Sequence, residues 1–372
     1  MKNIGRESLA GFYLASALTF GAISFNGCQS YMPPRVGGKN IVAGSVEHID
    51  LLLDESEERG IYFRDEKAII DSFIDGEERS LRLEDRFAGR ESTIIGFGNV
   101  LFETRRLESG SFYVSWTKEK NERSAVMCNG LGTSCLDVSE MGRRMSMDGI
   151  NFYAIDRTAS GINVEFRANE RRWISDIEEV VKIAYMELDE KSRPVIIGQC
   201  FSTGLVAKTV RRNPEIFSGA IYLTPAVKLN YDISVPEKIE IGIGRVFGFD
   251  CPHKNPVPID AYISSEGGKE YLRRDPLFSY MPSCATMVFG NNLNKRALRN
   301  IEDSDIESVA ILASDDKVVN NWGTFNALKK RGIDRIRVVN SDHYLPLSEE
   351  GVDTVRKEVY YLTLDFEGEV GK

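Results

Sequence analysis

Between residues 92 and 227 the spacing of hydrophobic positions changes repeatedly between two patterns. Short apolar runs such as residues 150–155 and 194–199 are typical of buried strands, whereas the helical spacing over residues 173–188 predicts an amphipathic helix. The same alternation resumes after residue 301. Strands and helices that alternate through short connections predict an α/β fold, with a mostly parallel sheet covered by helices on both faces.

The alternation is interrupted by residues 228–300, which are rich in proline and contain no clear strand pattern. Proline removes a ladder donor, so this segment is predicted to be an insertion over the sheet edge. The α/β core is then predicted to comprise residues 92–227 and 301–372. Two strands are expected at its start, in residues 93–102 and 111–116.

The first 28 residues predict an export signal or an anchor. Lys2 and Arg6 precede a charge-free apolar run over residues 9–25, which Gly27 and Cys28 follow. Three alternatives remain open: a lipoprotein signal with Cys28 as the lipidation candidate, an uncleaved membrane anchor, or an apolar N-terminal helix of a soluble protein. The first two predict a location in the cell envelope, either membrane-anchored or periplasmic, with the membrane surface as a partner.

Two further segments precede the core. Residues 29–45 have the composition of a linker. Residues 46–91 mix charged and apolar positions and predict a helical extension that packs on the main domain.

Composition excludes some classes of function. The net charge is −9 and the chain has no cluster of Lys and Arg, so no nucleic-acid partner is expected. With three His and no closely spaced Cys pair, no metal site is predicted. No organic cofactor is implied either.

Residues 194–204 read Pro-Val-Ile-Ile-Gly-Gln-Cys-Phe-Ser-Thr-Gly. A buried strand that runs into small residues around a nucleophilic side chain, followed by a helical pattern, predicts a sharp strand-to-helix turn. Such a turn presents the side chain at its apex beside a helix N-terminus. The apex is either Cys200 or Ser202.

Two later strand ends carry groups that can activate a nucleophile. Asp315 and Asp316 follow the strand predicted for residues 308–313, and His343 follows the strand predicted for 335–339. Because ligands bind beyond the carboxyl ends of parallel strands, these loops are expected to meet the turn at one crevice. His can remove the proton of the nucleophile, and an acid behind it fixes its tautomer. The backbone N–H groups of Leu131 and Phe201 are the candidate oxyanion donors.

From about residue 93 to 364 the chain resembles the α/β-hydrolase superfamily, and within it the monoacylglycerol lipase, lysophospholipase and S33 serine aminopeptidase group. The motifs that carry the resemblance are Asn-Gly-Leu-Gly at 129–132, the Asp-Arg-Thr-Ala-Ser-Gly loop at 156–161, Arg-Asp-Pro-Leu at 274–277 and Asp-Lys-Val-Val at 316–319. The resemblance implies that the insertion is a cap that forms an acyl pocket. It also implies that Asp316 is the acid and that the substrate is a small acyl or lipid molecule.

The turn departs from the family pattern Gly-His-Ser-Met-Gly-Gly. Counting back without gaps from residues 213–219 places Cys200 at the nucleophile position, and Ser202 stays the alternative. The predicted activity is hydrolysis of an acyl ester through Cys200, His343 and Asp316. The alternatives are an acyltransferase or thioesterase that uses the Cys, and a non-catalytic envelope lipoprotein with a degenerate site.

Overall fold

A computed structural model of the chain describes residues 93–97, 100–118, 121–163, 167–188, 192–231, 233–246, 253–275 and 278–369. The predicted signal or anchor segment with Cys28, the linker and the helical extension lie outside the described residues, so each stays a prediction.

The described chain folds around one twisted sheet of nine strands. Its strands are β1 (Thr93–Phe97), β2 (Val100–Arg106), β3 (Phe112–Thr117), β4 (Arg123–Cys128), β5 (Ile150–Ile155), β6 (Val195–Gln199), β7 (Gly219–Leu223), β8 (Ser308–Ala313) and β9 (Arg335–Val339). The spatial order is β1-β2-β3-β5-β4-β6-β7-β8-β9. The pairings among β1, β2, β3 and β5 are antiparallel and the other five are parallel. The predicted α/β fold with a mostly parallel sheet is therefore confirmed.

Nine α-helices flank or extend this sheet within the described residues. They are α1 (Ser139–Met147), α2 (Glu170–Met186), α3 (Thr203–Arg212), α4 (Val235–Val246), α5 (Ile259–Tyr262), α6 (Glu266–Arg274), α7 (Cys284–Glu302), α8 (Asn321–Lys329) and α9 (Glu349–Glu369). None of the helices in the described part is both long and apolar enough to cross a membrane.

The central parallel strands, β4 to β8, are buried on both faces, because their alternate side chains enter two separate cores. In β4, Ala125 and Met127 pack with apolar side chains of α1 and α9. Val126 and Cys128 pack on the opposite face with those of α2, α3 and α7. This two-sided burial explains why the strands read as continuous apolar runs in the sequence.

Two elements differ from the sequence prediction. Residues 93–102 are not one strand: β1 and β2 are separate and pair antiparallel, with Phe97 opposite Val100. Helix α2 begins at Glu170 rather than at residue 173, because the Asn169 side chain accepts hydrogen bonds from the N–H groups of Arg171 and Arg172 and so caps the helix three residues earlier.

Residues 228–300 contain helices α4, α5 and α6 and most of α7, for which the sequence pattern had predicted only an insertion. Val257, Tyr262 and Phe278 pack there against Val318 and Val319, which follow β8. This segment, which we call the cap, therefore lies over the carboxyl end of the sheet.

Candidate active site

The loop between β6 and α3 turns sharply at Cys200. Strand β6 ends at Gln199 and helix α3 begins at Thr203. Cys200 has a φ of 45°, a left-handed conformation that is strained for a residue with a side chain. The turn brings the helix close to the strand, since a Cβ built on Gly198 would lie 2.9 Å from Cγ2 of Val206. The local geometry is that of a sharp strand-to-helix turn, which we call the elbow, with Cys200 at its apex.

Ser202, the alternative apex, lies two residues further on and is fully buried. Its hydroxyl donates a hydrogen bond to the carbonyl oxygen of Asn129. Oγ of Ser202 in turn accepts a hydrogen bond from Nη1 of Arg157 at 2.6 Å. The Ser202 side chain is thus engaged on the side of the turn that faces the β4 loop.

His343 and Asp316 meet in the loops that follow β9 and β8. Nδ1 of His343 lies 2.9 Å from Oδ1 and 2.8 Å from Oδ2 of Asp316. Oδ1 of Asp316 also accepts hydrogen bonds from the N–H groups of Val318 and Val319, at 2.8 Å and 2.7 Å. These bonds hold the carboxylate against the imidazole. The neighbouring Asp315 is exposed.

The charge on His343 is controlled by two neighbours. Burial by itself lowers the pKa of this imidazole, but the nearby Cys200 sulfur and the Asp316 carboxylate outweigh burial and raise the pKa to about 10. Nε2, on the free edge of the ring, makes no hydrogen bond of standard geometry to a described residue. Cys200, His343 and Asp316 are therefore brought together, with the imidazole between the sulfur and the carboxylate.

The backbone around Cys200 orients the N–H group of Phe201. The carbonyl oxygen of Cys200 accepts hydrogen bonds from Oγ1 of Thr203 at 2.7 Å and from the N–H of Ala226 at 3.3 Å. In a planar trans peptide the N–H points opposite to the C=O. The Phe201 N–H therefore points away from these two partners.

Leu131, the other predicted donor, belongs to the turn at residues 129–132. A Cβ built on Gly130 would lie 3.5 Å from the Cβ of Cys200, so this turn and the elbow are in contact. The N–H of Leu131 donates no hydrogen bond to a described residue. The N–H groups of Phe201 and Leu131 thus belong to two segments that are in contact at Cys200.

The cap closes the site with apolar and aromatic side chains. The ring of Tyr262 lies edge-on to His343, with 5.7 Å between the ring centroids, and the Tyr262 hydroxyl donates a hydrogen bond to the carbonyl oxygen of Leu131 at 3.2 Å. Ile241, Cys284 and Met287 pack around Leu131, with Phe201 beside them. Only 6% of Cys200 and 1% of His343 are exposed.

Two residues at the site were not singled out from the sequence. Arg157 follows β5 at the same sheet edge as the other groups, so the rule on strand ends could have identified it. Tyr262 has no comparable signal, because its place depends on how the cap packs. Among the described residues, no cluster of three or more His, Cys, Asp and Glu side chains could hold a metal ion.

Several solved structures share this fold at low sequence identity. The monoacylglycerol lipase of Paleococcus ferrophilus is 13% identical, with a TM-score of 0.56, and the match covers 68% of this chain and 98% of that one. A soluble variant of monoglyceride lipase from Saccharomyces cerevisiae, in complex with a substrate analogue, is 12% identical, with a TM-score of 0.55 and coverage of 73% and 94%. A thermostable carboxyl esterase from Bacillus coagulans is 12% identical, with a TM-score of 0.54 and coverage of 73% and 97%.

A comparison with curated protein sequences gives no significant match. The profile of the family described as serine aminopeptidase, S33, matches residues 119–341, which is more than half of the chain. The matched region runs from β4 to the loop that carries His343, and so includes Cys200 and Asp316. The chain belongs to the serine aminopeptidase S33 family of α/β-hydrolases.

Proposed function

We propose that this protein hydrolyses acyl esters through a covalent acyl-thioester on Cys200. The observation that carries the proposal is the contact of Nδ1 of His343 with Asp316 at 2.8 Å beside a Cys at the strained apex of the elbow. A nucleophile, a His and an acid in this arrangement supply nucleophilic and general acid–base catalysis.

In the first half of the reaction the Cys200 sulfur, as the thiolate, attacks the ester carbonyl carbon. The carbonyl oxygen becomes an oxyanion, which accepts hydrogen bonds from the N–H groups of Leu131 and Phe201. When the intermediate collapses, the C–O bond to the alcohol breaks and His343 gives its Nε2 proton to the leaving oxygen. The raised pKa of His343, about 10, supports this role because the imidazole carries its proton at neutral pH.

In the second half a water molecule attacks the thioester carbonyl, and His343 takes one of its protons. The C–S bond then breaks, releasing the carboxylic acid and restoring the thiolate. Asp316 keeps Nδ1 of His343 protonated throughout, so that Nε2 is the atom that exchanges protons.

The apolar walls of the site favour a substrate with an apolar acyl group. Ile241, Met287 and Phe201 pack around Leu131, next to the proposed oxyanion donors. A hydrocarbon chain that enters there would replace contacts between apolar side chains and so gain from the hydrophobic effect. We therefore propose small acyl or lipid esters as the substrate class.

The test uses p-nitrophenyl esters of several chain lengths with the wild type, Cys200→Ala, Ser202→Ala and His343→Ala. We expect release of p-nitrophenolate and an acyl adduct on Cys200, detected by mass spectrometry, and the loss of both in Cys200→Ala. Ser202→Ala should still form the adduct. Labelling by a fluorophosphonate that survives Cys200→Ala and disappears in Ser202→Ala would reverse the assignment of the nucleophile.

The same assay separates the other functions. Faster loss of the acyl adduct when alcohols or amines are added would identify an acyltransferase, and a preference for thioesters would identify a thioesterase. The absence of turnover, of an adduct and of labelling by iodoacetamide would support a non-catalytic protein with a degenerate site.

We also propose that the N-terminal segment holds the protein at the cell envelope. Support comes from Lys2 and Arg6 before the apolar run and from the Gly-Cys junction at Cys28. Cell fractionation of the wild type and Cys28→Ala tests this. Loss of membrane association in the variant is expected for a lipoprotein, unchanged association would identify an uncleaved anchor, and absence of the wild type from membranes would contradict both.

A further inference from the structure

Arg157 is a buried cation behind the elbow, with 5% of its surface exposed. Nη1 donates hydrogen bonds to the carbonyl oxygen of Asn129 and to the Ser202 hydroxyl, and Nη2 donates one to the carbonyl oxygen of Gly130 at 2.8 Å. The guanidinium also lies over the ring of Phe201, with Cζ 4.9 Å from the ring centroid. One side chain thus touches both segments that supply the proposed oxyanion donors.

The bond to Gly130 controls the direction of the neighbouring N–H. The Gly130 carbonyl and the Leu131 N–H belong to the same planar peptide and point in opposite directions. Because Arg157 holds that carbonyl, the Leu131 N–H is turned away from Arg157, and it is this N–H that donates to no described residue. Rotation of the peptide would remove the donor and break the bond to Arg157 together.

The cap fixes the rest of the same turn. The carbonyl oxygen of Leu131 accepts a hydrogen bond from the Tyr262 hydroxyl, and that of Gly132 accepts one from the N–H of Ser279 at 2.8 Å. Four successive carbonyl groups, at residues 129–132, are therefore each held by a partner. Arg157 holds the two that precede the Leu131 N–H, so it dominates the orientation of that donor.

A buried guanidinium carries a desolvation penalty, which its hydrogen bonds must offset. Burial lowers the pKa of Arg157, and the neighbouring Asp156 carboxylate opposes that change. Apolar side chains can hold a turn in place without this penalty. What they lack is the planar fork that binds two adjacent carbonyl oxygens and a hydroxyl at once.

From these contacts we infer that Arg157 is a positioning residue for the oxyanion hole: its guanidinium sets the direction of the Leu131 N–H and holds Phe201 against the turn. The inference rests on the proposed function, since it assigns Arg157 a part in acyl transfer. Arg157 itself does not touch the reacting atoms.

The test compares two reactions of the same sulfur in the full-length protein. Acylation by a p-nitrophenyl ester develops an oxyanion, whereas alkylation by iodoacetamide needs the thiolate but no oxyanion hole. Because a change in the sulfur alters both rate constants, their ratio reports the features that only acylation uses, which include the oxyanion hole. The variants are Arg157→Gln, Arg157→Lys and Ser202→Ala. The matched control is Arg356→Gln, whose Nη1 binds Asp148 at 2.7 Å, next to the amino end of β5 and so at the opposite edge of the sheet.

We expect the ratio of acylation to alkylation to fall about 10²-fold in Arg157→Gln. In Arg157→Lys, which keeps the charge but loses the fork, it should fall about tenfold. Ser202→Ala removes one hydrogen-bond partner of Arg157, and the ratio should fall by less than in the Arg157 variants. This variant still tests the inference if an Arg157 variant does not fold. The control should match the wild type in both rates.

An unchanged ratio in both Arg157 variants, with acylation and alkylation falling together or not at all, would overturn the inference and leave the proposed function standing. A wild type that is alkylated on Cys200 but never acylated would overturn the proposed function and the inference with it. Thermal unfolding of every variant, followed by circular dichroism, shows whether a change in rate reflects a loss of folded protein.

Discussion

The contact between helices α3 and α7 makes Gly204→Ala a sharp test of how the elbow is held. A Cβ on Gly204 would lie 2.4 Å from the carbonyl carbon of Leu293 and 2.6 Å from the backbone nitrogen of Asn294. The side chain of Asn294 bridges the two helices, since Oδ1 accepts from the Gly204 N–H at 2.9 Å and Nδ2 donates to the Phe201 carbonyl at 3.2 Å. The added methyl group must push α7 outward and stretch this bridge.

The expected magnitude follows from two opposing effects. Replacing Gly with Ala inside a helix stabilises it by about 1 kcal/mol. Separating the helices by the distance that an ordinary contact requires, about 1 Å, costs roughly 2–3 kcal/mol. The net destabilisation is about 1–2 kcal/mol, which lowers the melting temperature by roughly 2–8 °C for a domain of this size. Acylation of Cys200 should slow as well, because Phe201 loses its anchor.

Gly242→Ala is the matched control. Gly242 lies in helix α4, and a Cβ built on it would meet nothing within 4 Å. We expect this variant to be as stable as the wild type or up to about 1 kcal/mol more stable. Urea unfolding followed by circular dichroism measures the free energy of unfolding of both variants. Equal stability of Gly204→Ala and Gly242→Ala would refute the reasoning, because it would mean that α7 yields without cost.

Three further predictions concern the site. Asp316→Asn keeps an oxygen for the N–H groups that follow β8 but gives Nδ1 of His343 the wrong partner, so kcat should fall roughly 10²- to 10⁴-fold; a steady-state rate near the wild-type value would contradict this. Since the pKa of His343 is raised to about 10, its proton is retained below that pH and lost as the pH rises through it. Ester hydrolysis should therefore decline on the alkaline side near pH 10, and a decline near the ordinary His pKa of about 6.5 would disprove the role of Cys200 and Asp316 in raising it. Tyr262→Phe removes one hydrogen bond to the Leu131 carbonyl and should slow acylation roughly 2- to 10-fold without slowing alkylation; equal slowing of both reactions would place the effect on the sulfur instead.

Much of the sheet could be predicted from local pattern alone. Strands β5, β8 and β9 have the bounds that the sequence pattern indicates. β5 and β8 are buried on both faces, where the side chains must be mostly apolar, whereas β9 is an edge strand that leaves Arg337 and Val338 exposed. The prediction of one strand over residues 93–102 was wrong, since two strands that pair with each other carry the same alternation as one longer strand. The helices of the cap were missed, because the prolines of that segment lie between and at the start of helices rather than within a regular pattern.

The order of the chemical groups could be read from the sequence: a Cys or Ser at a strand-to-helix turn, then an acid, then a His, each after a strand. That order follows from local spacing, since parallel strands bring their carboxyl ends to one edge wherever they lie in the chain. The surroundings of those groups depend on how the chain packs. It placed Ser202 against Asn129 and Arg157, and it brought Tyr262 of the cap onto His343. Contacts of this kind join residues far apart in the chain through packing and hydrogen bonds, and no spacing within the sequence encodes them.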